Sequence, residues 1–279
     1  MAVRIKGDFM IFKRIELVEG RENVWLDCYI ADPTQNFTRK AILVIPGGGY
    51  RNICSDREGE PIAHAFMPYG FNAFVLSYSV GEENCQKWNP LIEASLAVKH
   101  IKDNSEEYGI DPEEIFATGF SAGGHLCASL GILWHKEEIY KAIDMPFGYN
   151  KPKGIIPVYP VISSEPEMSH RGSFYNLVGR EKSEEEYAEF SLDLKVDERS
   201  VPAFIVHTAN DNIVNVRNAI ELANAYAKAK VPFEMHIFEN SPHGMALSNR
   251  ITAGQSSVRN NPHNAKWVEL AAEWTDNER

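Results

Sequence analysis

Ile115-Phe116-Ala117-Thr118-Gly119-Phe120-Ser121-Ala122-Gly123-Gly124-His125-Leu126 is an apolar, strand-like run that meets Gly119 and Ser121. From Leu126 onward apolar residues recur at helical spacing through Leu130, Leu133 and Trp134. The stretch therefore reads as strand, sharp turn and helix. A serine at such a turn is pushed toward a strained backbone conformation, and the glycines two before and two after it keep side chains off the crowded backbone. The helix that follows points free N–H groups and a partial positive charge at any oxyanion formed when the hydroxyl attacks a carbonyl. Ser121 is accordingly expected to be a nucleophile. G-x-S-x-G is short enough to arise by chance, so the flanking strand and helix carry the reading.

Working outward, the 279 residues are 44% hydrophobic and 11% aromatic, ordinary for one large α/β domain or two small ones, and a single domain over 1–279 is expected. No run of about 18 apolar residues could span a bilayer. The stretch MAVRIKGDFMIFKRIELVEG scatters charge where a signal peptide needs an apolar core, so a cytoplasmic protein is expected. Cys28, Cys54, Cys85 and Cys127 show no C-x-x-C spacing, which predicts reduced thiols and neither zinc nor disulfides. A net charge of −11 without a basic cluster argues against nucleic acid and anionic membrane as partners. No cofactor or metal is called for, and a homo-oligomer is left open.

Upstream, 9–19 and 24–30 alternate apolar and polar residues as the strands of a hairpin do. Ala41-Ile42-Leu43-Val44-Ile45 is instead continuously apolar, the mark of a parallel strand covered on both faces. It ends in Pro46-Gly47-Gly48-Gly49-Tyr50, a loop whose unobstructed N–H groups can cradle an anion, or simply a tight connection that needs small residues. Neither phosphate-loop pattern, G-x-G-x-x-G or G-x-x-x-x-G-K-[ST], is present there. Helices are predicted at 59–69, 90–103, 215–230 and 262–275, and further strands at 73–78, 155–159, 203–207 and 233–238, making eight strands. Residues 161–200 break the alternation. This charged insertion has a short predicted helix near 183–190; it reads as a solvated surface or as a lid, with Phe174, Tyr175 and Tyr187 available to shape a pocket.

Asn210-Asp211-Asn212 follows a strand and so lies at the same sheet edge as Ser121, although the triplet also suits an ordinary turn. His243 sits in Ser241-Pro242-His243-Gly244 after the last strand, where a base could reach Ser121. The histidines at 64, 100, 135, 236 and 263 lack that placing, and His125 is expected to support the turn by hydrogen bonding.

With Ser121, Asp211 and His243 in this chain order, the sequence resembles the α/β-hydrolases. More narrowly, it resembles small bacterial acetyl xylan esterase-like proteins over nearly its whole length. PGGGY at 46–50, REGEPIA at 57–63, YGIDPEEIFATGFSAGGHL at 108–126, HTANDNIV at 207–214 and VPFEMHIFENSPHG at 231–244 carry the resemblance. It implies a three-layer α/β-hydrolase fold with a mostly parallel eight-stranded sheet. It also implies a nucleophile at Ser121, an acid at Asp211, a base at His243, and oxyanion donors at Ala122 N–H and the Gly48–Gly49 segment. Tyr50 and Phe120, flanking these groups, are expected substrate contacts. Pro46 and Phe120 occupy positions where the hormone-sensitive-lipase-like branch has His and Asp, which favours the carbohydrate-esterase branch. Asn215 replaces a proline common after D-x-x-V. The implied substrate is a small ester, an acetylated sugar or oligosaccharide. A prolyl-oligopeptidase-type peptidase and a non-catalytic hydrolase-fold binding protein are the alternatives.

Overall fold

The computed structural model describes residues 10–81 and 83–277. Strands β1 (Met10–Glu16) and β2 (Trp25–Ala31) form the expected antiparallel hairpin, with Met10 opposite Ala31 and Glu16 opposite Trp25. Its expected first residue, Phe9, lies outside the described residues. The chain continues through β3 (Arg39–Ile45), β4 (Phe71–Ser77), β5 (Ile110–Phe120), β6 (Gly154–Val158), β7 (Ala203–Thr208) and β8 (Phe233–Phe238). These strands form one sheet in the order β1-β2-β4-β3-β5-β6-β7-β8. Only the β1–β2 and β2–β4 pairs are antiparallel.

Helices α1 (Ser55–Glu58), α2 (Glu60–Phe66), α3 (Asn89–Asp103), α4 (Ser105–Tyr108), α5 (Ala122–Ile132) and α6 (Glu137–Ala142) lie in the first half of the chain. In the second are α7 (Arg171–Val178), α8 (Glu184–Ala188), α9 (Arg217–Ala229), α10 (Arg250–Ala253) and α11 (Trp267–Asp276). The helix expected over 59–69 is α2, continued by a 3₁₀ turn, and a separate short helix, α1, precedes it. Gly59, at φ −105° and ψ −107°, breaks the chain between α1 and α2, and a 3₁₀ turn over Met67–Tyr69 ends at left-handed Gly70. The break puts Glu58 on its own short helix.

Successive residues of each central strand face opposite layers. Leu43 and Ile45 pack toward α3 and α5, whereas Ile42 and Val44 pack toward α2 and α11. Trp267 of α11 is fully buried against Phe66 and Phe120, and its indole N–H donates to Ala246 O at 2.8 Å. On the other face, α5 lies close against the sheet because Gly119 and Gly123 carry no side chain. A Cβ on Gly123 would fall 2.2 Å from Ile45 O, and one on Gly119 2.2 Å from Gly123 O.

The insertion holds the expected short helix, α8, opened by a capping box between Ser183 and Glu186. It also holds α7, which the sequence reading did not place, because Gly172 and Asn176 dilute the helical pattern. Phe174 and Tyr187 are buried beneath the insertion, so only Tyr175 of the three aromatic candidates reaches the cleft described below.

Candidate active site

Ser121 occupies the turn between β5 and α5 with φ 55° and ψ −117°, a conformation that non-glycine residues rarely adopt. Three backbone bonds hold it there. Ser121 N–H donates to Val158 O at 3.1 Å, while its carbonyl accepts from Val161 and His125 N–H, each at 3.1 Å. The strain is thus set by the surrounding structure and points the side chain out of the sheet edge.

Asp211 leaves the end of β7, and one carboxylate oxygen accepts the N–H groups of Ile213 and Val214, each at 2.9 Å. His243 sits in the loop after β8. That loop is pinned at Ser241, whose carbonyl accepts the Thr208 hydroxyl at 2.9 Å, and at His243 O, which accepts from Arg259 at 3.2 Å. The three side chains form one hydrogen-bonded series: His243 Nδ1–H donates to Asp211 Oδ2 at 2.7 Å, and Nε2 lies 2.9 Å from Ser121 Oγ. The Asp211 side chain is fully buried and that of His243 is 17% exposed, so the series is closed to solvent at its aspartate end. Burial pushes the Asp211 carboxyl up, but His243 and the two amides outweigh it, and its pKa lies below the ordinary carboxylate value. Such an arrangement can deprotonate a hydroxyl as it attacks a carbonyl.

Ser121 and His243 open into a cleft of about 710 Å³. Gly48 and Gly49 form one wall. Gly47 O accepts Cys54 N–H at 3.0 Å, and Gly48 O accepts from Arg51 and Asn52 at 3.1 and 3.2 Å. In a planar trans peptide C=O and N–H point oppositely, so the Gly48 and Gly49 N–H groups face away from residues 51–54. Asn176 of α7 holds Gly49 O at 2.8 Å. Gly48, at φ +129°, tolerates no side chain, since a Cβ would lie 2.0 Å from Asn52 O.

Residues 26–226 match the BD-FAE family. The chain belongs to that family. It is 37% identical over 215 residues to endo-1,4-beta-xylanase B of Butyrivibrio fibrisolvens, a match covering 76% of this chain and 33% of the xylanase. It is 26% identical over 217 residues to an acetylxylan esterase of Xylanibacter ruminicola, covering 76% of this chain and 42% of that protein. The chain thus spans a third to under half of these curated relatives. The crystal structure of an acetyl ester-xyloside bifunctional hydrolase from Caldicellulosiruptor lactoaceticus superposes with a TM-score of 0.79 at 31% identity, covering 94% of both chains. With the eight-stranded sheet, these matches make this BD-FAE chain an α/β-hydrolase in fold.

Two expected substrate contacts lie elsewhere in this BD-FAE chain. Phe120 is fully buried because its strand position faces the α11 layer, against Tyr159 and Trp267. Tyr50 is 1% exposed, and its hydroxyl donates to His125 Nδ1 at 2.8 Å. His125 Nε2–H in turn donates to Phe190 O at 2.8 Å, tying α5 to the insertion. Burial lowers the pKa of His125 to about 4, which keeps the ring neutral in this role.

The sequence reading missed other groups in the cleft. His170 lies beside it with Nδ1 2.9 Å from Ser173 Oγ, and burial and then the neighbouring His243 lower its pKa. Glu58 also reaches the cleft although it is only 2% exposed. Its one sequence signal was membership of the REGEPIA motif, without a role. Among the described residues no group of His, Cys, Asp and Glu is arranged to hold a metal ion, and no helix is long and apolar enough to cross a membrane.

Proposed function

We propose that this protein is a serine carboxylic ester hydrolase acting on acetyl esters of sugars or oligosaccharides. The observation that carries the reading is the continuous series from Asp211 through His243 to Ser121, with its serine end open to the cleft. His243, oriented by Asp211, takes the Ser121 proton as Oγ attacks the ester carbonyl. The oxyanion forms against Ala122 N–H, the first amide of α5, and the N–H groups of the Gly48–Gly49 segment. Collapse expels the alcohol, which takes its proton from His243. Water then attacks the acyl-enzyme with His243 as base, and acetate leaves as Ser121 is restored.

The names of the relatives, an acetylxylan esterase and an acetyl ester-xyloside hydrolase, favour a xylan-derived acetyl ester. The deciding experiment measures acetate release from acetylated xylo-oligosaccharides beside p-nitrophenyl acetate, p-nitrophenyl octanoate and a prolyl-nitroanilide, with Ser121→Ala as control. Serine-dependent acetate release is expected. Cleavage of the anilide alone would establish a peptidase, and failure of all four substrates together with no fluorophosphonate labelling would leave a binding protein.

A further inference from the structure

Three loops meet at the cleft from distant parts of the chain: the glycine loop after β3, the turn after β6, and the loop after β8 that carries His243. One side chain bonds to two of them and is linked to the third through Tyr159. Glu58 Oε2 accepts Gly47 N–H at 2.9 Å, and Oε1 accepts the Tyr159 hydroxyl at 2.9 Å. The Tyr159 oxygen accepts Ala246 N–H at 3.1 Å, and its ring stands edge-on to His243 with centroids 5.1 Å apart. The packing is equally close. A Cβ on Gly47 would lie 2.8 Å from Glu58 Oε2 and 3.0 Å from Ser121 Cβ, and one on Gly244 would lie 3.9 Å from Glu58 Oε1.

We infer that Glu58 is a positioning residue for the proposed ester hydrolysis, fastening the glycine loop to the loop that carries His243 and setting a second negative charge beside the imidazole. A carboxylate this buried is costly unless its oxygens are satisfied, and here both are. Tyr159, at φ +37°, holds a conformation unusual for a tyrosine, and the bonds through its hydroxyl help to keep it there. Charge completes the argument. Burial is the largest influence and holds the Glu58 carboxyl above the ordinary carboxylate value, while Gly47 N–H, Arg57, Tyr159 and His243 offset part of that rise in favour of the anion. Arg57 Nε lies 3.8 Å away, and Cys54 and Tyr78 are further titratable neighbours. His243 also feels Asp211, His170 and His207. An anion near His243 favours the imidazolium formed when Ser121 gives up its proton.

The inference rests on the ester-hydrolase reading, and its test separates the two. Glu58→Gln, Glu58→Asp and Tyr159→Phe are made in the full chain. Each is assayed for kcat and KM on p-nitrophenyl acetate, the pH profile of kcat/KM, fluorophosphonate labelling and thermal melting. For Glu58→Gln, kcat is expected to fall about 100-fold with KM within a few-fold of wild type, as for a small displacement of reacting groups. Its acid limb is expected to move to lower pH, since the charge favouring the imidazolium is gone. Glu58→Asp should recover part of kcat and return the limb toward wild type. Tyr159→Phe keeps the charge and removes the link, so kcat should fall with the limb in place. A folded Glu58→Gln with wild-type kcat and acid limb overturns the inference. If that variant does not fold, wild-type kcat in Tyr159→Phe overturns it instead. A wild-type protein that neither hydrolyses the ester nor takes the probe overturns the ester-hydrolase reading and this inference with it.

Discussion

His243 Nε2 lies 2.9 Å from Ser121 Oγ across 122 positions of sequence. The contact exists because β5 and β8 end at the same edge of the sheet, with β6 and β7 between them. Asp211, from the end of β7, completes the approach on the other side of the imidazole.

Asp211→Asn is expected to lower kcat about 10⁴-fold with little change in melting temperature. The amide oxygen can still accept from Ile213 and Val214, but the amide NH2 then faces His243 Nδ1. That selects the tautomer with hydrogen on Nε2, which cannot take the serine proton. Kinetics on p-nitrophenyl acetate beside a thermal melt check this. A loss under tenfold would remove Asp211 from its role.

Asn176→Ala frees the Gly49 carbonyl, whose 2.8 Å bond orients the glycine loop. The expected result is a roughly tenfold fall in kcat with KM little changed, since a misaimed oxyanion donor is felt in the transition state. A rise in KM at constant kcat would instead make Asn176 a substrate contact.

Tyr175 is the one insertion aromatic of the three expected that faces the cleft, with the Arg180 guanidinium 5.6 Å from its ring centre. Tyr175→Ala should raise KM for an acetylated xylo-oligosaccharide about tenfold, near the upper range for an aromatic contact. KM for p-nitrophenyl acetate should change much less. Equal effects on both esters would remove Tyr175 as a sugar platform.

Acid should destabilise the fold through two neutral core histidines. Burial lowers His125 and His207 from 6.5 to about 4. The unfolded chain therefore binds protons that the folded one refuses, and stability present above pH 6.5 is lost as pH falls toward 4. Each site costs about 2 kcal/mol at pH 5 relative to neutral pH. Denaturant titrations at pH 7 and 5 check this, and equal stabilities at the two values would contradict it.

Gly123→Ala should cost about 3 kcal/mol or more, because the added methyl meets backbone carbonyls that cannot rotate away. A thermal melt would show it, and an unchanged melting temperature would mean that α5 can shift outward freely.

The sequence by itself determined the sheet, because each parallel strand is a local apolar run whose meaning does not depend on distant residues. It also placed Ser121, Asp211 and His243 at strand ends, since glycine, proline and Asx turns are local signals and strand ends share an edge. Other features were decided only by tertiary structure. Tyr50 and Phe120 neighbour the glycine loop and the nucleophile in sequence, yet strand alternation turns Phe120 under α11, and Tyr50 turns inward against Tyr78 and His125 of α5. Glu58, His170 and Asn176 reach the cleft from a four-residue helix and from an insertion whose helix the periodicity did not show. Their partners are Gly47 and Tyr159, Ser173, and Gly49. Only the Ser173 contact is local in sequence. The others depend on which segments the folded sheet brings into contact, and no local pattern of residues encodes that.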